Sequence, residues 1–150
     1  MRVVIQRVSE ARVEIEGEVS GQIAAGFLVL LGIEAEDTDE DGKWLAGKIA
    51  RMRVFSDSEG SMNLALGDVD GRVLVVSQFT LHANTKKGNR PSFIRAARPE
   101  QAIPLYERFL AEIEKETGHP PETGEFGADM QIHLVNDGPV TITMDSKNRE

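Results

Sequence analysis

The stretch Leu74-Val75-Val76-Ser77-Gln78-Phe79-Thr80 decides how the rest of this sequence is interpreted. The apolar run from Val73 to Val76 predicts a strand that is buried on both faces. The run then becomes polar at Ser77, with no turn residue to end the strand. Buried polar side chains cost free energy unless they are hydrogen-bonded, so the change indicates either a strand that surfaces or a site at a rigid strand end.

Side-chain alternation gives this stretch a predicted geometry. If the strand continues from Arg72 to Leu81, Ser77 and Phe79 lie on one face, and Gln78 and Thr80 lie on the other.

Composition bounds the class of protein. With 150 residues, of which 40% are hydrophobic, the chain is expected to form one domain with a substantial core. The longest apolar run, Phe27–Leu31, is far shorter than the roughly 18 residues that span a membrane. Met1–Ile5 begins a strand pattern where a signal peptide would lie, so a cytoplasmic protein is expected. The absence of cysteine excludes disulfides, thiolate nucleophiles and cysteine-ligated metals, and no metal or cofactor is predicted.

The charge balance argues against general binding to nucleic acid. The chain has 17 basic and 25 acidic residues and a formal net charge of −8, so DNA is not an expected partner. Lys86, Lys87 and Arg90 form a local exception. Such a run is usually a solvated loop, but it can hold a few phosphates while the remaining surface repels a duplex.

Hydrophobic alternation predicts most of the chain to be sheet. The strands expected before residue 34 are Val3–Val8, Ala11–Glu16, Val19–Ile23 and Gly26–Ile33, with a hairpin turn at Glu16-Gly17-Glu18. Later strands are expected at Val54–Phe55, Met62–Leu66 and Arg72–Leu81, as a meander, and at Met130–Val135 and Val140–Met144, joined by a tight turn over Asn136–Pro139.

Two amphipathic helices separate these groups of strands. The first, Asp39–Arg53, follows a capping pattern at Thr38, and its Trp44 is interpreted as a core anchor rather than a stacking surface. The second runs from Pro99 to Thr117. This order of elements favours an α+β fold with a mostly antiparallel sheet.

The chemistry available to such a domain is restricted. The sequence has no Gly-x-Ser-x-Gly elbow, no phosphate-binding loop and no dinucleotide fingerprint, and its three histidines share no metal-ligand spacing. What remains is the neutral polar cluster of Ser77, Gln78 and Thr80, which has no base near it in sequence. Such a cluster suits an already activated ester, since backbone N–H groups at a strand end can stabilise an oxyanion by about 3–4 kcal/mol per donor.

A second group of residues, Asn136-Asp137-Gly138-Pro139-Val140-Thr141, has two interpretations. It is either a hairpin with favourable turn residues or a rigid turn that aims its backbone carbonyls at a ligand. Pro139 lies where strand pairing should resume, although proline has no N–H to donate. A cis bond after Gly138 would explain this placement.

These motifs resemble those of the D-aminoacyl-tRNA deacylase family. Ser77-Gln78-Phe79-Thr80 is similar to its Ser-Gln-Phe-Thr motif, and the segment from Asn136 to Thr141 to its Asn-x-Gly-Pro-x-Thr motif. Shorter matches occur at Ile5-Gln6-Arg7-Val8, Phe55-Ser56-Asp57, Met62-Asn63-Leu64, Arg90-Pro91-Ser92-Phe93 and Ala128-Asp129-Met130. The resemblance covers residues 1–145, expected as one domain, and leaves residues 146–150 as a frayed polar tail.

The resemblance implies a barrel-like sheet and a homodimer with its active site at the interface. The enzyme would hydrolyse the ester of D-aminoacyl-tRNA, and of mischarged glycyl-tRNA(Ala). Ser77, Gln78, Phe79 and Thr80 would line one side of the site, with the Phe79 N–H near the reacting carbonyl. Gly138 and Pro139, flanked by Asn136 and Thr141, would enter from the partner subunit and exclude L side chains. Lys86, Lys87 and Arg90 would contact tRNA.

Two alternatives stay open from the residues themselves. Thr80 could act as a covalent nucleophile, although nothing adjacent in sequence would deprotonate it. The chain could also be a non-catalytic module that binds RNA ends through the loop containing Lys86.

Overall fold

One long strand organises the sheet of the computed structural model, which describes all 150 residues. Strand β1 pairs antiparallel with β2 and β3 along one edge and with β8 along the other. The strands are β1 (Arg2–Ile15), β2 (Glu18–Ile23), β3 (Gly26–Gly32), β4 (Phe55–Ser56), β5 (Met62–Leu64), β6 (Arg72–Ser77), β7 (Glu122–Thr123) and β8 (Gln131–Asp145). Two strands are predicted where β1 is a single strand, because irregular pairing near Val8 bends it without ending it.

The sheet is mixed, with the order β2-β1-β3-β6-β7. Strand β6 lies parallel to β3, and β7 lies parallel to β6. The predicted meander is therefore wrong, because β4 and β5 form a separate two-stranded sheet and β6 returns to β3 after a helical crossover. The two ends of the sheet approach each other where the Ser20 Oγ donates a hydrogen bond to the Thr123 carbonyl oxygen (3.1 Å). The sheet is thus a nearly closed barrel, as expected.

Glycine permits this near closure. A Cβ atom on Gly21 of β2 would lie 2.5 Å from the Thr123 carbonyl oxygen, so only a residue without a side chain lets the two strands come this close.

Two helices cover one face of the sheet. Helix α1 is Asp39–Arg51, which ends two residues before the predicted Arg53, and helix α2 is Pro99–Thr117, as predicted. The Thr38 N–H donates to the Asp41 carboxylate (2.8 Å), which forms the expected cap. Neither helix is long and apolar enough to cross a membrane.

The apolar strands are buried on both faces, as their composition predicts. A cluster of 20 buried residues joins the helices to one face, and includes Phe27, Val75 and Phe109. A second cluster of seven residues, including Leu28 and Leu74, fills the opposite face. Because adjacent residues of β3 and β6 belong to different clusters, these two strands form the rigid centre of the domain.

Strand β8 corrects the prediction of a hairpin at Asn136–Pro139. Residues 131–145 form one strand that stays paired with β1 on both sides of the motif. Asn136 lies opposite Val8 and Thr141 lies opposite Gln6, so the residues between them form a bulge. The Gly138–Pro139 peptide bond within it is cis. The turn residues were identified correctly, but they bend one strand instead of joining two, because β1 is long enough to pair with both halves.

Residues 146–150 have no regular secondary structure, but they are not frayed. The Ser146 N–H donates to the Met1 carbonyl oxygen (2.9 Å), and its buried hydroxyl accepts a hydrogen bond from the Met1 ammonium (3.0 Å). The Lys147 ammonium binds the Asp41 carboxylate at 3.2 Å. Such contacts with distant residues cannot be read from the local composition of a polar tail.

Candidate active site

The central strand ends at Ser77, earlier than predicted. The Gln78 N–H still donates to the Leu31 carbonyl oxygen of β3 (2.7 Å), and then the chain enters one turn of 3₁₀-helix, Phe79–His82, here called the Phe79 turn. The predicted alternation of faces beyond Ser77 is therefore wrong, because a strand period applies only to extended backbone. The turn nevertheless keeps Gln78, Phe79 and Thr80 together at the end of β6.

The polar side chains of the motif bind each other. The Gln78 Nε2 donates a hydrogen bond to the Thr80 Oγ1. No carboxylate, imidazole or amine is hydrogen-bonded to Thr80. This arrangement fixes Gln78 beside the turn and leaves Thr80 without a general base.

The start of the Phe79 turn carries unpaired backbone donors. The first N–H groups of a helix have no acceptor within it, and no side chain caps this turn. Phe79 is 57% exposed, and its ring meets the Phe93 ring edge-on, with 5.2 Å between their centroids. Phe79 is thus held by a strand end on one side and by an aromatic pair on the other.

A cavity of about 300 Å³ opens beside the Phe79 turn. Its walls are mostly apolar, and they include Ser77, Gln78, Phe79, Phe126, Ala128 and Met130. The last three were not predicted as site residues, although the match at Ala128-Asp129-Met130 was a signal for Ala128 and Met130. Asp129 is the only ionisable residue in the walls, and it makes no hydrogen bond. Thr80 does not line the cavity, whereas the other three residues of its motif do.

The Phe79 turn rests on Gly32 at the end of β3. A Cβ atom at this position would lie 2.9 Å from the Leu81 Cβ and 3.0 Å from the Gln78 carbonyl oxygen. The absence of a side chain therefore sets the height of the turn above the sheet.

His82 closes the turn and is almost completely buried. Its Nδ1 lies 3.8 Å from the Glu34 carboxylate, and neither ring nitrogen has a hydrogen-bond partner within the usual geometric limits. Burial lowers the pKa of His82; the Gly32 backbone and the Glu34 carboxylate partly oppose this shift, and the positive charges of Arg2 and the Met1 ammonium add to it. The imidazole is therefore neutral at pH 7, and it serves as packing rather than as a metal ligand or a base facing the cavity.

The second motif lies in the β8 bulge, where Gly138 and Pro139 are exposed. The buried Arg7 guanidinium holds the bulge from below: its Nε donates to the Asp137 carbonyl oxygen (3.0 Å), and its Nη1 donates to the Val54 carbonyl oxygen (2.6 Å). A Cβ atom on Gly138 would lie 2.9 Å from the Arg7 Nη2. Arg7 and the bulge thus form one tightly packed unit.

Asn136 and Thr141 support the bulge instead of facing outward as independent groups. The Asn136 Oδ1 accepts a hydrogen bond from the Val140 N–H (3.1 Å), which replaces a lost ladder bond. The Asn136 Nδ2 and the Thr141 hydroxyl both donate to the Gln6 Oε1 of β1. These side chains therefore position Gly138 and Pro139.

The two motifs do not meet within one chain. No residue of the Asn136–Thr141 segment lines the cavity beside Phe79. The basic segment also lies outside the cavity. Lys86, Lys87 and Arg90 are exposed in a loop pinned by mutual backbone hydrogen bonds between Asn84 and Ser92, and none pairs with a carboxylate.

Comparison with known proteins agrees with these features. The family model described as D-Tyr-tRNA(Tyr) deacylase matches residues 4–145. The chain is 63% identical to a D-aminoacyl-tRNA deacylase of Akkermansia muciniphila and 61% identical to one of Flavobacterium johnsoniae, and each alignment covers all of both chains.

Two solved structures share the fold. One, named c-Myc DNA Unwinding Element Binding Protein, has a TM-score of 0.90 and 41% identity over 97% of this chain and 98% of its own. The other, described as a probable eukaryotic D-amino acid tRNA deacylase, has a TM-score of 0.79 over 95% of this chain and 97% of its own. At 17% identity, that second likeness supports the fold alone. The resemblance inferred from the sequence motifs is confirmed, and the chain belongs to the D-Tyr-tRNA(Tyr) deacylase family, whose members hydrolyse an ester bond.

Proposed function

We propose that this protein removes D-amino acids from tRNA by hydrolysing the ester between the amino acid and the terminal ribose. One observation carries the proposal: Phe79, whose backbone N–H lies at the uncapped start of its turn, borders a mostly apolar cavity whose walls contain no histidine, lysine or arginine. An aminoacyl ester is already activated by the neighbouring ribose hydroxyl. A site that only positions and polarises such a substrate can therefore hydrolyse it.

The proposed mechanism relies on the backbone. The Phe79 N–H stabilises the charge that develops on the carbonyl oxygen, a contribution of about 3–4 kcal/mol for one well-placed donor. The ribose 2′-hydroxyl of the substrate helps to activate the attacking water. The attacking water is then activated without an enzyme base. This agrees with the hydrogen bond between Gln78 and Thr80, in which both side chains are neutral.

Chiral selection is assigned to Gly138 and Pro139 of a second copy of the chain. Within one chain the exposed bulge does not line the cavity, so this role requires that the bulge of a second molecule approach it. Backbone atoms placed against the α-carbon would refuse any side chain on the L side. Apolar contacts alone discriminate only about 10–200-fold per methylene group. Glycine has no side chain, so glycyl-tRNA(Ala) should also be hydrolysed.

The basic loop is proposed to hold tRNA. Lys86, Lys87 and Arg90 are exposed and have no acidic partner, so they are available to phosphates. Because the rest of the chain is acidic, the loop would orient the tRNA with its acceptor end towards the cavity. A homodimer in the cytoplasm, where tRNA is charged and used, completes the proposal.

The deciding experiment compares D-tyrosyl-tRNA, L-tyrosyl-tRNA and glycyl-tRNA(Ala) as substrates of the purified protein. We expect rapid release of D-tyrosine and of glycine, and almost no release of L-tyrosine. Equal rates on the two tyrosyl-tRNAs would refute chiral exclusion, and the absence of any hydrolysis would leave an RNA-binding module as the better description. Sedimentation of the same sample should give a dimer.

Absence of DNA binding also remains a prediction, and one similar structure carries the name of a protein that binds a DNA element. The net charge of −8 opposes binding to a duplex. A gel-shift titration with duplex DNA and tRNA at equal phosphate concentration tests this, and tighter binding of the DNA would contradict it.

A further inference from the structure

A second cavity also borders the Phe79 turn, at Leu81. Its volume is about 420 Å³, and its walls come from the start of β1, from α1, from the end of β8 and from the C-terminal residues. Leu81 lines this cavity, whereas Phe79 lines the one beside the active-site motif. The turn therefore contributes to the walls of two cavities.

The wall contributed by α1 is aromatic and cationic. Trp44, the only tryptophan of the chain, is half-buried and packs against the core, as predicted for a core anchor. Its ring also faces the cavity, where the Arg149 Cζ lies 4.4 Å from the ring centroid and the Lys48 Nζ lies 5.8 Å from it. A guanidinium plane over an indole forms a flat surface on which a nucleobase can stack.

Three cations, Arg2, Lys48 and Arg149, line the cavity together with the acidic residues Asp145 and Glu150. Arg2 is paired with Asp145, at 2.9 Å, and also donates to the Leu81 carbonyl oxygen at 3.1 Å. Lys48 and Arg149, in contrast, have no carboxylate within salt-bridge distance. In a chain with 25 acidic and 17 basic residues, two such cations beside the only tryptophan favour a ligand that is both anionic and aromatic.

We propose that this cavity binds a nucleotide, with its base against the stacked Trp44 and Arg149 side chains and its phosphate at Lys48. The inference rests on the proposed function in one respect: the nucleotide is taken to belong to an RNA strand whose 3′ end lies at Phe79. Leu81 follows Phe79 by two residues, so a strand that ends beside the first can reach the cavity beside the second. Arg2 lines this cavity and donates a hydrogen bond to the Leu81 carbonyl oxygen, and so links the cavity to the turn.

Fluorescence of Trp44 tests this directly, because no other tryptophan contributes. The protein is titrated with an unacylated RNA hexanucleotide, with adenosine monophosphate and with inorganic phosphate. We expect saturable quenching by the nucleotides but not by phosphate. Lys48→Gln and Arg149→Gln should each weaken binding by at least about tenfold, within the range measured for single stacking or phosphate contacts. Lys43→Gln removes a charge from the same helix outside this cavity and should bind as the unaltered protein does.

The outcomes separate the ligands. Tighter binding of the hexanucleotide than of the monophosphate identifies an RNA strand, and the reverse order identifies a free nucleotide; both support a nucleotide site. Equal quenching by inorganic phosphate, no saturable quenching, or equal affinities for all variants would overturn it. The titration needs no turnover, so it is independent of deacylation: quenching without hydrolysis refutes only the proposed function, and hydrolysis without quenching refutes only the second site.

Discussion

The buried guanidinium of Arg7 donates a hydrogen bond to the Asp137 carbonyl oxygen at 3.0 Å, and so ties β1 to the residue before Gly138. The same side chain reaches the Val54 carbonyl oxygen at 2.6 Å, which anchors it to the core side of the domain. The exposed Gly138–Pro139 bulge is therefore supported from below by a buried charge, in addition to the hydrogen bonds of Asn136 and Thr141.

Arg7→Lys should relax chiral selection more than it reduces activity. Lysine keeps the charge but cannot donate to both carbonyls in one plane, so the bulge loses its fixed position. We expect the ratio of D- to L-tyrosyl-tRNA hydrolysis to fall at least about tenfold, the effect of roughly 1.4 kcal/mol on a rate ratio. Arg12→Lys on the same strand, where the side chain binds Glu14 at the surface, is the matched control. An unchanged ratio for Arg7→Lys would show that the bulge holds itself in place.

Gly32→Ala should impair catalysis by moving the Phe79 turn. The new methyl group would lie 3.0 Å or less from Gln78 and Leu81 atoms, so the turn must rise from the sheet. Such overpacking costs about 1–3 kcal/mol of stability, and misplacement of the Phe79 N–H by about 1 Å can reduce kcat about 100-fold. Gly67→Ala, which meets nothing within 4 Å, is the control for the glycine substitution itself. Steady-state kinetics and urea unfolding of both variants measure the two effects.

Thr80→Val should keep most of the activity. The hydroxyl accepts a hydrogen bond from Gln78 and has no base, so its loss is expected to change kcat less than about tenfold. Asp129→Asn, which neutralises the only ionisable residue of the cavity wall, should do the same if the substrate supplies its own base. A loss of about 1,000-fold in the first variant, together with a trapped acyl-enzyme, would restore Thr80 as the nucleophile.

The pH dependence of stability should contain a contribution from His82. Its pKa is lower in the fold than in the unfolded chain, so below pH ~6.5 the unfolded chain binds the extra proton. The stability contributed by neutral His82 is fully present above that pH and is lost as the pH falls, with a slope of at most about 1.4 kcal/mol per pH unit. Urea unfolding of the protein and of His82→Leu from pH 8 to pH 5 measures the difference. Parallel curves for the two proteins would contradict the assignment.

Replacing Lys86, Lys87 and Arg90 together by glutamine should weaken tRNA binding and flatten its dependence on salt. Each lost contact with a phosphate lowers the slope of log K against log salt by about 0.7–0.9. Filter binding of unacylated tRNA at several salt concentrations gives the slope.

The control for this triple variant removes three charges elsewhere. Lys43, Arg108 and Lys115 are all paired with acidic neighbours, and their replacement by glutamine changes the net charge equally. If both triple variants bind tRNA alike, the basic loop is only a solvated surface.

Several elements followed from local pattern because their causes are local. Helix α2 begins at Pro99 and ends before Gly118, which adopts a positive φ of 79°, and both signals lie within the helix or beside it. The buried character of β3 and β6 follows in the same way from uninterrupted apolar runs. Gln78 and Thr80 do lie together, but a hydrogen bond within the 3₁₀ turn joins them instead of the predicted strand geometry.

By itself, the sequence determined the two helices, the apolar strands, the two motifs and the family, because each depends on residue types at short spacing. Only the tertiary structure decided that β6 lies parallel to β3 and that Asn136–Pro139 bends one strand instead of joining two. It also showed that Arg7 supports the bulge and that Ser146 and Lys147 contact Met1 and Asp41. These features arise from contacts between residues far apart in the chain. The free energies of those contacts outweigh the local preferences of turn and tail residues, and the contacts leave no pattern in the local sequence.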